Sequence, residues 1–153
     1  MNKFQLFNMK ALRFNSLVKS FFPAIILFLI MTSLESCTEK IPFLTSAVVP
    51  AAEGWVKVKE DRNNNYTIEL NVTRLADPQR LTPPKNMYVV WIDTEQNGQQ
   101  MIGQLNMSKS LNGSIKTMTP HKPIGIFITA EEDITAKYPD SQVVLRTDLL
   151  TKF

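Results

Sequence analysis

Residues Tyr66–Val72, YTIELNV, alternate strictly between apolar and polar side chains. A period of two is typical of a β-strand with one buried face, because successive side chains point to opposite faces. The preceding stretch Gly54–Lys59, GWVKVK, alternates in the same way, with Val56 and Val58 on one face. Between the two stretches, residues 61–65 read DRNNN and are rich in types that favour turns. The two stretches are therefore predicted to form an antiparallel hairpin.

Further short strands are expected along the rest of the chain. They are predicted at Met87–Ile92, Gln100–Met107, Ser114–Thr119, Ile124–Thr129 and Val143–Thr147. The first of these is apolar on both faces and is placed centrally in a sheet, after which an Asn-Gly turn leads into the returning strand. Gly103 in the returning strand marks a bulge or the close approach of a bulky group. The polar strand at 114–119 is placed at an edge.

The connections also favour an all-β fold. Leu75–Asn86 contains three prolines, which exclude regular structure, and Ala130–Gln142 is predicted as a long acidic loop with at most one helical turn. No convincing amphipathic helix follows Cys37. About seven or eight short strands separated by turns indicate an antiparallel, immunoglobulin-like β-sandwich. We assign this single domain to residues 48–153.

The N-terminal segment has the composition of an export signal. An apolar run extends from Phe21 to Cys37, and its densest part, Ala24–Met31, reads AIILFLIM. It is short for a membrane-spanning helix, which needs about 20 apolar residues, but suits the core of a signal peptide. Four basic residues precede the run, so that end is expected on the cytoplasmic side. Residues 1–36 are therefore predicted to be a signal peptide, with Met1 or Met9 as its start.

Cys37 is the only cysteine in the 153 residues. The sequence Leu34-Glu35-Ser36-Cys37 resembles the lipobox of bacterial lipoproteins, although Glu35 departs from the usual small residue. The resemblance implies that Cys37 is lipidated and that cleavage occurs before it. Residues 37–47 are predicted to comprise the lipidated cysteine and a tether, with the first extended segment following the tether within Thr38–Thr45. Lipidation also removes an unpaired reactive thiol. An uncleaved membrane anchor and plain secretion are the alternatives.

The charge balance changes once the predicted leader is removed. The chain has 17 basic and 14 acidic residues, of which residues 1–36 hold four and one. The remainder therefore has 17 − 4 = 13 basic and 14 − 1 = 13 acidic residues, a net charge of zero. This balance gives no support for a nucleic-acid partner, which requires a basic surface.

Several motifs occur in one order along the chain: Gly54, the Pro83-Pro84 pair, the Tyr88–Ile92 strand, Ile102–Leu105, and Ile126–Glu131 followed by Val143-Val144. This order resembles the extracytoplasmic C-terminal domain of anti-sigma-K factors. The resemblance covers about Val48 to Leu150. It implies a sandwich fold outside the cytoplasm and association with a partner protein. The cytoplasmic sigma-binding domain of full-length members has no counterpart here, since about 20 residues at most precede the apolar run.

The candidate reactive residues are few. His121 is the only histidine, and it lies between prolines in a predicted turn with no nucleophile motif nearby. The acidic cluster Glu131–Asp133 with Asp140 lacks the alternating spacing of a calcium loop and is interpreted as a solvated loop, with Glu131 in a structural hydrogen bond. Neither a metal nor another cofactor is predicted, and no residue is assigned a catalytic role.

The aromatic residues offer one candidate glycan surface. Trp91 is assigned to the core, and Tyr88 lies on the opposite face of the same strand, so the two do not form one platform. Trp55, on the lysine-bearing face of its strand, is expected to be the most exposed of the three.

The sequence therefore predicts a non-enzymatic lipoprotein of the bacterial cell envelope, facing the periplasm or the exterior. Its partners are expected to be the membrane, through the lipid, and another envelope protein, with a link to anti-sigma-type signalling. A structural or adhesive subunit, with Ser114–Thr119 as a pairing edge, and a glycan-binding module are the alternatives.

Overall fold

The structure is a computed structural model that describes residues 39–139 and 141–150. In this part the chain forms nine strands, and the only helix is the three-residue 3-10 turn Pro78–Arg80. The strands are β1 (Ile41–Pro42), β2 (Glu53–Glu60), β3 (Tyr66–Thr73), β4 (Met87–Thr94), β5 (Gly98–Gln104), β6 (Asn106–Met107), β7 (Gly113–Thr119), β8 (Pro123–Glu131) and β9 (Val143–Arg146).

The strands form two antiparallel sheets, with orders β1-β2-β3-β7-β6 and β5-β4-β8-β9. The predicted all-β sandwich is confirmed. The structure has nine strands where the sequence predicts seven or eight, because the predicted strand Gln100–Met107 forms two strands, the second of which, β6, is only two residues long.

The predicted β2–β3 hairpin is present. Val56 of β2 pairs with Leu70 of β3. The alternating apolar residues of both strands are buried between the sheets: Val56, Val58, Tyr66, Ile68, Leu70 and Val72. In the turn, the Asp61 carboxylate accepts hydrogen bonds from the backbone N–H groups of Asn65 (2.9 Å) and Asn63 (2.7 Å). These bonds, with a further one from the Asn65 side chain, lower the pKa of Asp61. A carboxylate that is bonded in this way fixes the turn and hence the register of the hairpin.

Strand β4 lies centrally, between β5 and β8, as predicted. Its two faces enter different apolar clusters. Tyr88 is fully buried in the core between the sheets. Trp91 is also fully buried but on the outer face of the four-stranded sheet, where it stacks on Phe127 (ring centroids 6.4 Å apart) and Ala136 from the following loop packs nearby. Trp91 is thus a core residue, as predicted, but of a second, smaller core.

The predicted strand Gln100–Met107 is divided between the two sheets, which the sequence did not indicate. β5 pairs with β4 in one sheet, and β6 pairs with β7 in the other. At Gly103 φ is +143°, and a Cβ atom there would lie 2.8 Å from Ile115 Cδ1. The β4–β5 register also shifts between Val90 and Trp91. Gly103 therefore marks both a bulge and a close approach, as predicted.

The opposite side of the sandwich is closed by the N-terminal segment. After β1, Phe43 forms a bridge with Thr147 beyond β9, and the Leu44 N–H donates to the Arg146 carbonyl (2.9 Å). Ser46 Oγ then donates to the Val144 carbonyl oxygen (2.5 Å). Residues 41–46, within the segment assigned to the tether, are therefore hydrogen-bonded to both sheets.

The strand directions define two ends of the sandwich. Because Ile41 pairs antiparallel with Val56, the chain enters beside the second half of β2, near the 61–65 turn. We call this end, which also carries the turns at 94–98 and 119–123, the proximal end. The distal end carries the loops at 74–86, 105–112 and 132–142. An eight-residue strand such as β2 separates the ends by about 26 Å.

Candidate functional site

A cleft with a volume of about 420 Å³ opens at the distal end of the sandwich. It is bounded by the loop after β3, the start of β4, the β5–β6 crossover and the loop before β7. Its lining includes Asp77, Asn86, Tyr88, Gln104, Asn106 and Leu111. These residues come from segments that are separated in the sequence, and the cleft exists because β5 and β6 belong to different sheets.

Tyr88 forms the base of this cleft. Its ring is fully buried and its hydroxyl donates to the Ala76 carbonyl oxygen (2.9 Å). Burial, with a smaller contribution from the negative charge of Asp77, raises the pKa of Tyr88 to about 12. The hydroxyl therefore stays protonated at neutral pH and ties the proline-rich loop to β4.

The rim of the cleft is mostly polar. Asp77 caps the 3-10 turn by accepting a hydrogen bond from the Gln79 N–H (3.0 Å), and Asn86 Nδ2 donates to the Glu132 carbonyl oxygen (2.9 Å). Gln104 and Asn106 are exposed, so their amide groups can both donate and accept hydrogen bonds. The apolar part of the rim includes Leu111, 41% exposed with φ +60°. Such a lining suits a peptide or another neutral polar group rather than a strongly charged one.

His121 lies away from this cleft, in the β7–β8 turn at the proximal end. Its Nδ1 is 3.0 Å from Asn97 Nδ2, and its backbone N–H donates to Thr119 Oγ1 (3.2 Å). It is a turn residue, as predicted. The titratable side chains that line the described cleft are Asp77 and Tyr88, and both already have structural hydrogen bonds.

The acids of the predicted cluster diverge. Strand β8 continues through Glu131, which is buried and accepts a hydrogen bond from Thr129 Oγ1 (2.5 Å), as expected for a structural role. Glu132 is exposed and forms an ion pair with Lys85 (3.5 Å), while Asp133 is bonded to Thr135, which lowers the pKa of Asp133. Asp140 lies outside the described residues. Within the described ranges no three potential metal ligands come together.

The prediction that Trp55 is the most exposed of the three aromatic candidates is confirmed, but its ring is only partly accessible. Trp55 is half-buried, with Lys40 Nζ 4.4 Å and Lys57 Nζ 5.3 Å from the ring centroid. Tyr138, in the distal loop, is the most exposed aromatic residue that the structure describes, at 76%. No sequence pattern distinguishes Tyr138, because the loop around it has no periodicity.

Cys37, the predicted lipidation site, and the predicted leader at 1–36 lie outside the described residues. Within the ranges that are described, the chain contains no helix of the length and apolar character that a membrane crossing requires. No protein-family model matches the chain, and a search of curated proteins found no match. The resemblance to anti-sigma-K factors and the lipobox assignment therefore stay predictions.

Sequence reasoning missed the cleft itself. The sequence places Tyr88 in a strand and predicts irregular structure from Leu75 to Asn86, and neither feature by itself predicts a cleft. The three prolines in that segment were the available signal, because an irregular loop of that length is often functional.

Proposed function

We propose that this protein is a lipid-anchored component of a bacterial envelope whose sandwich binds a protein partner through the distal cleft and performs no catalysis. The observation that carries the proposal is the position of the cleft relative to the point where the chain enters the sandwich. Cys37 is two residues before Glu39, so a lipid attached to Cys37 would be held within about 7 Å of Glu39, where the chain enters beside the proximal half of β2. The cleft is at the other end, about 26 Å away, where a partner could reach it.

The chemistry of the cleft supports a protein partner. Exposed amide groups on Gln104 and Asn106 match peptide groups, and the exposed Leu111 adds an apolar contact. The partner class agrees with the one implied by the resemblance to extracytoplasmic anti-sigma-K domains. A regulatory role linked to sigma signalling is part of this proposal.

The test is photo-crosslinking in cells. A photoreactive amino acid is placed at Ser108, on the rim, or at Glu95, an exposed residue of the proximal 94–98 turn, as the matched control. We expect one crosslinked envelope protein at Ser108, none at Glu95, and loss of the product in Cys37→Ser. Leu111→Asn should also reduce the yield of the crosslinked product at Ser108, because it removes the apolar group. Asn is chosen because it tolerates the positive φ at this position. Equal products at Ser108 and Glu95, or none at either, would contradict the proposal.

A structural or adhesive subunit is the second candidate, and strand β5 favours it. The sequence of β5, GQQMIGQ, has no charged residue and no proline, and in the described sheet its outer edge is unpaired. Such an edge is a template for pairing with another chain. The predicted edge Ser114–Thr119 is a weaker candidate, because it carries Lys116 and β6 covers its start. Concentration-dependent sedimentation that Met101→Lys abolishes would support this alternative.

A further inference from the structure

Most of the charged residues on the outer face of the five-stranded sheet are lysines. Lys57, Glu69 and Lys116 form one row across β2, β3 and β7, and Lys59 lies in the next row. Lys40 extends the first row, since Ile41 pairs with Val56 and Lys40 therefore lies beside Lys57. With strands about 4.8 Å apart and alternate residues about 6.8 Å apart, four ammonium groups lie within a patch roughly 15 Å across.

This face is strongly asymmetric in charge although the exported part of the chain is neutral overall. Four lysines accompany two carboxylates, Glu69 and Glu53, and Glu53 is already paired with Arg74. The ion pairs found among the described residues join Arg74 to Glu53, Lys85 to Glu132 and Arg146 to Asp93, and none involves these four lysines. The face therefore carries three uncompensated positive charges.

Trp55 completes the same face. It pairs with Asn71 on β3, and the ammonium groups of Lys40 and Lys57 lie over its ring. A ring that is already covered by cations is a poor platform for the apolar face of a sugar. An amphipathic tryptophan among lysines instead suits a surface that is charged outside and apolar beneath.

We propose that this lysine face docks the domain onto an anionic lipid bilayer. The inference rests on the proposed lipid anchor, because Cys37 is only three residues from Lys40 and would hold the edge of this sheet against the membrane. Each lysine near an anionic surface favours docking about fivefold, and the anchor makes the encounter intramolecular. Because the four lysines are spread from the residue before β1 across β2 to β7, they fit an extended bilayer surface better than a single polysaccharide chain. The distal cleft stays open, because it lies at the strand ends and not on this face.

The experiment uses the full chain, produced in a bacterial host and reconstituted into vesicles of phosphatidylcholine alone or with about 30% phosphatidylglycerol. Acrylamide quenching reports Trp55, since Trp91, the other tryptophan, is fully buried. We expect Trp55 to be protected on anionic vesicles and not on neutral ones, and high salt to remove the protection. In Lys57→Gln/Lys116→Gln the ratio of docked to undocked protein should fall about 30-fold, or about 2 kcal/mol.

The matched control is Lys109→Gln/Lys137→Gln, which removes two exposed lysines from outside this face and should keep the protection. Equal quenching on the two kinds of vesicle would overturn docking. Stronger protection of Trp55 by soluble alginate than by anionic vesicles would also overturn it and assign the face to acidic polysaccharides.

Flotation with neutral vesicles reports the anchor alone. A chain that fails to float with them lacks the proposed anchor, and this inference falls with it, whereas a chain that floats without protection of Trp55 refutes only the docking.

Discussion

Replacement of Thr129 by valine tests the buried polar chain on the outer face of the four-stranded sheet. Trp91 Nε1 donates to Thr129 Oγ1 (2.8 Å), and Thr129 Oγ1 donates to a carboxylate oxygen of Glu131 (2.5 Å). All three residues are 2% exposed or less. One hydroxyl therefore satisfies both an indole N–H and a carboxylate in a region that water does not reach.

Thr129→Val keeps the shape and the β propensity of the side chain but removes the hydroxyl. It leaves the Trp91 N–H without an acceptor, which costs about 1–3 kcal/mol, and it takes a donor from the Glu131 carboxylate, a bond worth about 1.5–3 kcal/mol. Since the valine methyl recovers part of this loss, we expect the free energy of unfolding to fall by about 3 kcal/mol. That is a large share of the roughly 5–15 kcal/mol of a typical domain.

The assay is urea denaturation of the compact unit Thr38–Phe153, followed by tryptophan fluorescence. Thr117→Val is the control, because Thr117 is half-buried on β7 and its hydroxyl has no hydrogen bond to a described residue. The control should change stability by less than about 0.5 kcal/mol. If Thr129→Val lowers stability by less than about 1 kcal/mol relative to the control, the hydroxyl does not connect Trp91 and Glu131 as described.

Two further predictions concern the β5 bulge and the base of the cleft. Gly103→Ala should lower the free energy of unfolding by about 1–3 kcal/mol, because φ is +143° and the new Cβ would press on Ile115. The control is Gly98→Asn, which should change stability little, because φ there is +62° and the surrounding space is open. The denaturation midpoints of the two variants test this difference. Burial raises the pKa of Tyr88 to about 12, so the folded state holds this proton longer than the unfolded state. The contribution of Tyr88 to stability should therefore be constant below about pH 10 and decline between pH 10 and 12. Tyr88→Phe should reduce this decline without removing it, since the pKa of Tyr66 is also raised; an unchanged slope of stability against pH would contradict the role given to Tyr88.

Most of the strands could be predicted from the sequence, because alternation along a strand is a local property. The β2–β3 hairpin and the central position of β4 follow directly from which neighbouring residues are apolar. β1 lies in the extended segment expected within Thr38–Thr45, whereas β6 could not be predicted as a separate strand, because two residues cannot show a period. The separation of β5 from β6 was also hidden, since Gly103 signals a bend but not the sheet that the chain joins after it.

The sandwich class and the buried faces of the hairpin follow from the local residue pattern, and the single cysteine on which the anchor proposal depends can be read directly from the chain. Three other features become visible only in the folded protein: Lys57 and Lys116 lie in one row, Trp91 is buried on the outer face of its sheet, and Asp77 and Leu111 share a cleft. The alternation of side chains along a strand involves neighbouring residues, whereas these three features depend on pairing and packing between segments that are far apart in the chain.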